Sequence, residues 1–479
     1  MMVRRPATRS SSITPPPLLL LLLLFAHTCG QSLESSRQWW DLARTELAAA
    51  LNVRDNWNVA KNVILFLGDG MGITASTAAR IYKGQKKGMH GEEGYLEWER
   101  FPNCALIKTY NVDRQVPDSA ATATAFLCGV KVNYETIGVD PLVSFGDCEA
   151  SKNPQSHLTS ILQWAQEANK STGLVTSTRI THATPAASYS HVANRRWECD
   201  SQPGEEGHGC PDIAQQLVTH SPGKNIKVVL GGGRQALGAT LGIPDESSCQ
   251  RTDNRDLTRE WLDAKLAAGH RARYITSANE LRSINHDHVD YLMGLFADGH
   301  IPYVSDQAAS SSNSPSLAEM ATAAVKQLSK DDNGFFLMVE GGRIDHAYHN
   351  NQPQKALEET LAFDSAVASV LKDIDLDETL VIVTADHSHV LTINGYPKRG
   401  NDILGLADVS DVDGLPFTTL MFTNGPGFNI TTTDGGHNVT RGDPSEYPLS
   451  NPEHKSQTAV PMKAFKETHG GEDVALYAA

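Results

Sequence analysis

Acids and imidazoles recur in this chain at the ends of short apolar runs. NVILFLGDGMG ends in Asp69, and FFLMVEGGRIDHAYH ends in Glu340 before going on to Asp345 and His349. LVIVTADHSH ends in Asp386, His387 and His389, and a fourth group, THGGED, offers His469. One strand-end Asp can be no more than a helix N-cap. The whole set is harder to read as structural, because carboxylates gathered from neighbouring strand ends carry a large burial cost as ions. A divalent cation removes that cost. Asp345 and His349 are four residues apart, so on a helical turn they share one face, as two ligands of one ion must. A mixture of imidazole nitrogen and carboxylate oxygen suits zinc.

A hydroxyl stands where such a centre could use it. In VPDSAATATAF, Ser119 heads an alanine-rich helix. It reads equally as an N-cap and as a nucleophile, since a helix N-terminus stabilises an alkoxide or a phosphate ester on that oxygen. Other schemes find no support. There is no GxSxG elbow, no GxxxxGK[ST] loop, and GDGMG lacks the third glycine of a dinucleotide loop.

The elements that must carry these residues follow from periodicity. Continuous apolar runs at 62–67, 174–176, 227–230, 335–339 and 380–383 predict buried strands. Helical patterns at 38–52, 158–168, 212–218, 317–328 and 355–371 alternate with them. Alternation of this kind predicts an α/β fold, a largely parallel sheet with helices on both faces. In open sheets of that type the site forms beyond the carboxyl ends of the strands. Residues 309–316 read as a polar loop. Residues 393–457, rich in Gly, Asn, Asp and Pro with little clean periodicity, read as a surface insertion.

The whole chain sets the context. It has 479 residues, a net charge of −15 and 40% hydrophobic residues, which excludes a disordered, fibrous or polytopic protein. The acidic balance argues against nucleic-acid binding. Residues 1–30, with Arg4, Arg5 and Arg9 before the leucines of 18–24, predict a cleaved secretory signal. Six cysteines then remain in an oxidising compartment, and spacing alone does not give their pairing. Sequons at Asn169, Asn429 and Asn438 fit a glycoprotein.

The segments NVILFLGDGMG, KTYNVDRQVPDSAATATAFLCGVK, THATPAA, LGGGR, MGLF, FFLMVEGGRIDHAYH, TADHSH and THGGEDVA together resemble the animal alkaline phosphatases, from about residue 60 to the C-terminus. The resemblance implies two zinc ions and one magnesium. One zinc would take Asp345, His349 and His469, and the other Asp69, Asp386 and His387. Asp69, Thr184 and Glu340 would hold the magnesium, and His182, His389 and Asp118 would stand behind the ligands. Ser119 matches the nucleophile that becomes a phosphoserine. Arg195 matches the arginine that clamps phosphate, although chemistry alone does not choose between it and Arg196. The implied reaction is hydrolysis of phosphate monoesters at alkaline pH by double in-line displacement. Related sulfatases and phosphodiesterases are the neighbouring alternative, and the sulfatase CxPxR segment is absent. The resemblance also implies a homodimer, and residues 31–59 read as an N-terminal helical arm ahead of a catalytic core at 60–392 and 458–479.

The chain departs from the family pattern in three places. Ala297 and Ser314 stand where vertebrate-type members have carboxylates, which predicts weak or no calcium binding. Cys148 and Cys210 match a paired position, whereas Cys104, Cys199 and Cys249 look additional, and the states of Cys104, Cys128, Cys199 and Cys249 are left open. The sequence ends at Leu476-Tyr-Ala-Ala without the apolar tail of a GPI signal, so the expectation is either a secreted protein or a longer chain anchored at the cell surface.

Overall fold

Nine strands form one sheet: β1 (Asn62–Gly68), β2 (Asn103–Ile107), β3 (Ser171–Arg179), β4 (Val228–Gly232), β5 (Ala272–Ile275), β6 (Tyr291–Leu295), β7 (Phe335–Gly341), β8 (Thr379–Ala385) and β9 (Val474–Ala478). Their order is β2-β9-β8-β1-β7-β3-β4-β6-β5. From β8 to β5 every neighbouring pair is parallel. Only β9 runs antiparallel to its neighbours β8 and β2. The computed structural model describes residues 36–479 except 55, 205, 206, 208, 242–244, 246, 247, 310–312, 434, 435, 447 and 463–465. The signal segment 1–30 and the start of the N-terminal arm lie outside the described residues.

The central strands are apolar on both faces because both faces are covered. On β1, Ile64 and Phe66 enter one core while Leu65 enters the other; on β7, Leu337 and Val339 oppose Phe336 and Met338 in the same way. Each such fully buried side chain contributes about 1.5–3 kcal/mol. The first core is covered by α2 (Ile73–Gln85), α5 (Leu317–Leu328) and α7 (Pro353–Val370). α5 shows why these helices form. Ser316 and Glu319 make a capping box at its start, and Leu317, Met320, Ala321, Ala324, Val325 and Leu328 form the buried stripe. α7 begins on Pro353, which costs nothing at the first helical position. Its Phe363 meets Phe66 and Trp98 edge-on, at ring separations of 5.9 and 5.4 Å.

α1 (Ser36–Asn52) belongs to a separate N-terminal unit that ends at Asn56. No residue of α1 is buried, and Trp40, Leu47 and Leu51 are exposed. Among the described residues no helix is long and apolar enough to cross a membrane.

The segment 393–457 is more ordered and less superficial than its composition suggests. It contains a hairpin of Asn429–Thr433 with Gly436–Thr440, and its strand Leu420–Gly425 pairs with Leu391–Ile393. Ile403, Leu404, Leu420 and Phe422 from it are buried in the first core. Its strands are only three to six residues long, too short for a clear period.

Candidate active site

The carboxyl ends of β1, β7 and β8 lie side by side. Gly68 is in register with Gly341 and with Ala385, so Asp69, Glu340 and Asp386 leave the sheet at one level. The turn that carries Asp69 needs glycine. Gly70 has φ +72°, and a Cβ there would lie 2.5 Å from His389 Nε2. Asp69 is fully buried, and neither of its carboxylate oxygens has a hydrogen-bond partner. On Glu340, Oε2 accepts from the hydroxyls of Thr176 and Thr178 at the end of β3, while Oε1 is buried and unpartnered. Asp386 accepts from the backbone N–H of Gly70 at 3.0 Å and from Thr122 Oγ1 at 3.2 Å.

α6 (Arg343–His349) follows β7 directly and places Asp345 and His349 on one face. The short ladder of Ser388–His389 with His469–Gly470 brings in the remaining imidazoles. Asp345 Oδ1 lies 3.3 Å from His349 Nε2, 3.2 Å from His469 Nε2 and 2.8 Å from His389 Nε2. His349 donates through Nδ1 to the Glu467 carbonyl, and His469 through Nδ1 to the Pro117 carbonyl at 2.8 Å. Both rings therefore turn bare Nε2 atoms inward, and these are 3.0 Å apart. Two lone pairs facing each other beside a carboxylate repel unless a cation sits among them. His387 is alike: its Nδ1 meets the Ser388 carbonyl, and its Nε2 lies 3.2 Å from Asp386 Oδ2 and 3.5 Å from Asp69 Oδ1. The orphaned oxygens of Asp69 and Glu340, the unpartnered Thr184 hydroxyl and the inward imidazoles make a donor set that fits divalent metal ions.

α3 (Ser119–Cys128) points its N-terminus at this cluster. Asp118 caps it, accepting from the N–H groups of Ala120 (3.1 Å) and Ala121 (3.4 Å). Ser119 is thus not the cap: it is the first helical residue, and its Oγ donates toward His387 Nε2 at 3.2 Å. Arg195 reaches in from the far side. One guanidinium nitrogen donates to Asp118 Oδ2 at 3.0 Å and the other to His182 Nε2 at 3.2 Å. Arg196 points away, pairs with Glu135 at 3.2 Å and is 72% exposed, against 18% for the Arg195 side chain. His182 and Thr184 lie on and just before α4 (Ala183–Ala186), and His182 groups with Asp69 and Glu340.

Burial dominates the electrostatics. It raises Asp69 well above the usual carboxylate range, helped by the charges of Asp386, Asp345 and Glu340. Burial likewise lifts Glu340 to about 7 and Asp386 to about 6. His387 and His182 are pushed well below the ordinary imidazole range by burial, and His349 to about 3. His389 goes the other way, to about 10: burial alone would lower it, but the Glu467 and Asp345 carboxylates outweigh that. Asp345 is also an exception among the carboxylates: burial alone would raise it, but His349, His389 and His469 hold it well below the ordinary range.

All the residues expected from the sequence to act together meet here, except the glycosylation and disulfide positions. Cys148 pairs with Cys210, as the resemblance implies, and Cys199 pairs with Cys249. Cys104 is free and exposed, Cys128 free and buried. Asn169 sits in a left-handed turn (φ +57°), and Asn429 and Asn438 are exposed on the hairpin. Of the two residues that replace carboxylates of the family pattern, Ser314 donates through Oγ to the Phe296 carbonyl at 3.2 Å. Sequence reasoning missed two groups. Thr122 holds Asp386, and Glu467 holds both His349 and His389. An i, i+3 spacing from Ser119 could have flagged Thr122; no spacing flags Glu467.

A doubly covered parallel sheet with a buried histidine and carboxylate cluster against a helix-borne serine defines a metal-dependent hydrolase. Residues 60–479 match the model of the alkaline phosphatase family, and the chain belongs to that family and hydrolyses phosphate monoesters. It is 46% identical over 471 residues to the tissue-nonspecific alkaline phosphatase of Gallus gallus, covering 95% of this chain and 88% of that one. It is 44% identical over 431 residues to the membrane-bound alkaline phosphatase of Bombyx mori, covering 88% and 76%. The crystal structure of Thermus thermophilus alkaline phosphatase shares the fold, with a TM-score of 0.61 at 24% identity over 90% of this chain and 88% of that one.

Proposed function

We propose that Ser119 is the nucleophile of a two-step hydrolysis through a phosphoserine. Asp345, His349 and His469 would hold one zinc ion, Asp69, Asp386 and His387 the other, and Asp69, Glu340 and Thr184 a magnesium. Bound there, the ions supply Lewis acidity that favours the ionised hydroxyl and neutralises the leaving oxygen. In the first step the Ser119 oxygen forms a bond to phosphorus, the ester P–O bond breaks and the alcohol leaves. The N-terminus of α3 favours the negative charge gathered at that oxygen. Arg195 offers two parallel N–H donors to the non-bridging oxygens, and Asp118 and His182 hold its fork in place. In the second step water cleaves the phosphoserine and inorganic phosphate departs. Contacts confined to the phosphoryl group predict broad acceptance of monoesters.

The observation that carries this reading is Ser119 Oγ, buried at a helix start and 3.2 Å from an imidazole of the cluster. Replacing Ser119 with Ala should lower kcat on the order of 10³-fold or more and abolish trapping of radiolabelled phosphate on the protein. Retained trapping would sink the assignment.

The cellular setting follows from the same reasoning. Two disulfides fit an extracellular protein. We infer export directed by residues 1–30 and glycans at Asn169, Asn429 and Asn438. The exposed Trp40, Leu47 and Leu51 of α1 support a homodimer in which the arm 31–59 meets a second copy, with 393–457 as an inserted layer on the catalytic core. Light scattering on the mature protein tests the dimer.

A further inference from the structure

Among the described residues, Glu467 is the buried carboxylate that touches two imidazoles of the centre while belonging to none of the proposed ligand sets. It is 1% exposed. Its Oε2 accepts from His389 Nδ1, its Oε1 accepts from the Val390 N–H at 2.8 Å, and its carbonyl accepts from His349 Nδ1. His389 in turn presents Nε2 to Asp345 Oδ1 at 2.8 Å. With both carboxylate oxygens occupied and no solvent access, the group has one orientation.

We propose that Glu467 is a positioning residue for the metal centre: by holding Nδ1 of each ring, its side chain keeps His389 Nε2 aimed at Asp345 and its carbonyl keeps His349 Nε2 aimed at the same carboxylate. The inference rests on the reading of Asp345 and His349 as metal ligands. A half-turn of an imidazole about its Cβ–Cγ bond puts ring carbons where its nitrogens stood, and a hydrogen-bond partner on the outer nitrogen holds the ring against that turn and fixes which nitrogen carries the proton. Glu467 supplies that partner to two rings at once. The neighbouring explanation, that Glu467 merely staples the backbone at Val390, uses Oε1 alone and leaves the Oε2 contact to His389 without a purpose.

The test uses the full-length enzyme loaded with zinc and magnesium, and a parallel cobalt(II) preparation. Glu467→Gln keeps the shape and the backbone carbonyl but replaces Oε2 with a group of different hydrogen-bonding capacity. We expect zinc retention against a competing chelator to weaken ~10–100-fold and the visible absorption of the cobalt enzyme to shift. In a His389→Ala background the same substitution should change zinc retention by less than about twofold, because its effect passes through that ring. A folded Glu467→Gln enzyme with unchanged zinc retention and cobalt spectrum would overturn the proposal, and so would an undiminished effect without His389. Should Glu467→Gln fail to fold, nitrogen-15 spectra of the wild-type histidines decide: a proton on His389 Nδ1 supports the proposal and a bare Nδ1 overturns it. Zinc content and activity of the wild type separate the two levels. An active, zinc-loaded wild type with an indifferent Glu467→Gln removes this inference alone, whereas a wild type without zinc removes the metal reading and this inference with it.

Discussion

Arg195 and Arg196 carry the same charge one residue apart, and packing gives them different work. The Arg195 fork is held by Asp118 and His182 at the cluster, while Arg196 lies in solvent against Glu135. Arg195→Ala should lower kcat/KM for p-nitrophenyl phosphate by ~10²–10³-fold and weaken inhibition by inorganic phosphate. Arg196→Ala should stay within about twofold, since an exposed pair contributes little. Steady-state kinetics on both variants checks the assignment. This is also where sequence reading stops. The clustered acids and imidazoles were legible because acids at strand ends and a DxxxH turn constrain geometry locally, whereas Thr184 came only from the family resemblance. The choice between two adjacent arginines depends on which way the chain turns after Ala193, and the hold of Glu467 on His349 and His389 spans 118 and 78 residues. Neither leaves a local pattern.

Two elements place strict demands on single positions. Gly70, in the turn after β1, combines a left-handed backbone with an approach to His389 that leaves no room for a methyl group. Gly70→Ala should displace either the turn or that imidazole and reduce bound zinc, read by elemental analysis. α7 buries Glu359, which accepts the Val304 N–H at 2.7 Å and is lifted by burial from 4.5 to about 7. A raised carboxyl favours the protonated folded state, so its cost is absent below pH 4.5, grows up to pH 7 and then stays constant. Glu359→Gln should therefore be more stable than wild type at pH 8, by at most ~3 kcal/mol, and equal to it near pH 4. Urea unfolding at the two pH values measures the gap. Strands β1, β3, β4, β7 and β8 and the helices α1, α5 and α7 were legible from periodicity, whereas α2 was not. Of the strands, β2 and β9 were missed, as were β6 and β5 at the opposite side of the sheet. β2 is exposed along most of its length and β5 buries only its two ends, so neither shows a continuous apolar run.

At the scale of the molecule the proposed ligand sets would have the ions tie the ends of β1, β7 and β8 to α6 and to the His469 strand, elements contributed from residue 69 to residue 469. Each ligand that binds only the folded chain adds about 4 kcal/mol at a thousandfold excess over its dissociation constant. Chelation should accordingly lower the melting temperature by ~10 °C as well as abolish activity, with both restored by zinc and magnesium. Calorimetry on the chelated and reloaded protein checks it. The pairing of His469 with His389 has a different implication. Apart from Glu467 beside one root, the stretch between those two residues carries none of the proposed catalytic or metal-ligand roles, and it leaves and rejoins the centre at one point. Because the closure entropy of a loop rises only with the logarithm of its length, ~0.6 kcal/mol per doubling, exposed turns of this stretch can be lengthened or shortened at small cost so long as its roots, Glu467 and the buried Ile403, Leu404, Leu420 and Phe422 are kept. The outer turns of this chain can therefore change what they display to their surroundings without retuning the reaction beneath.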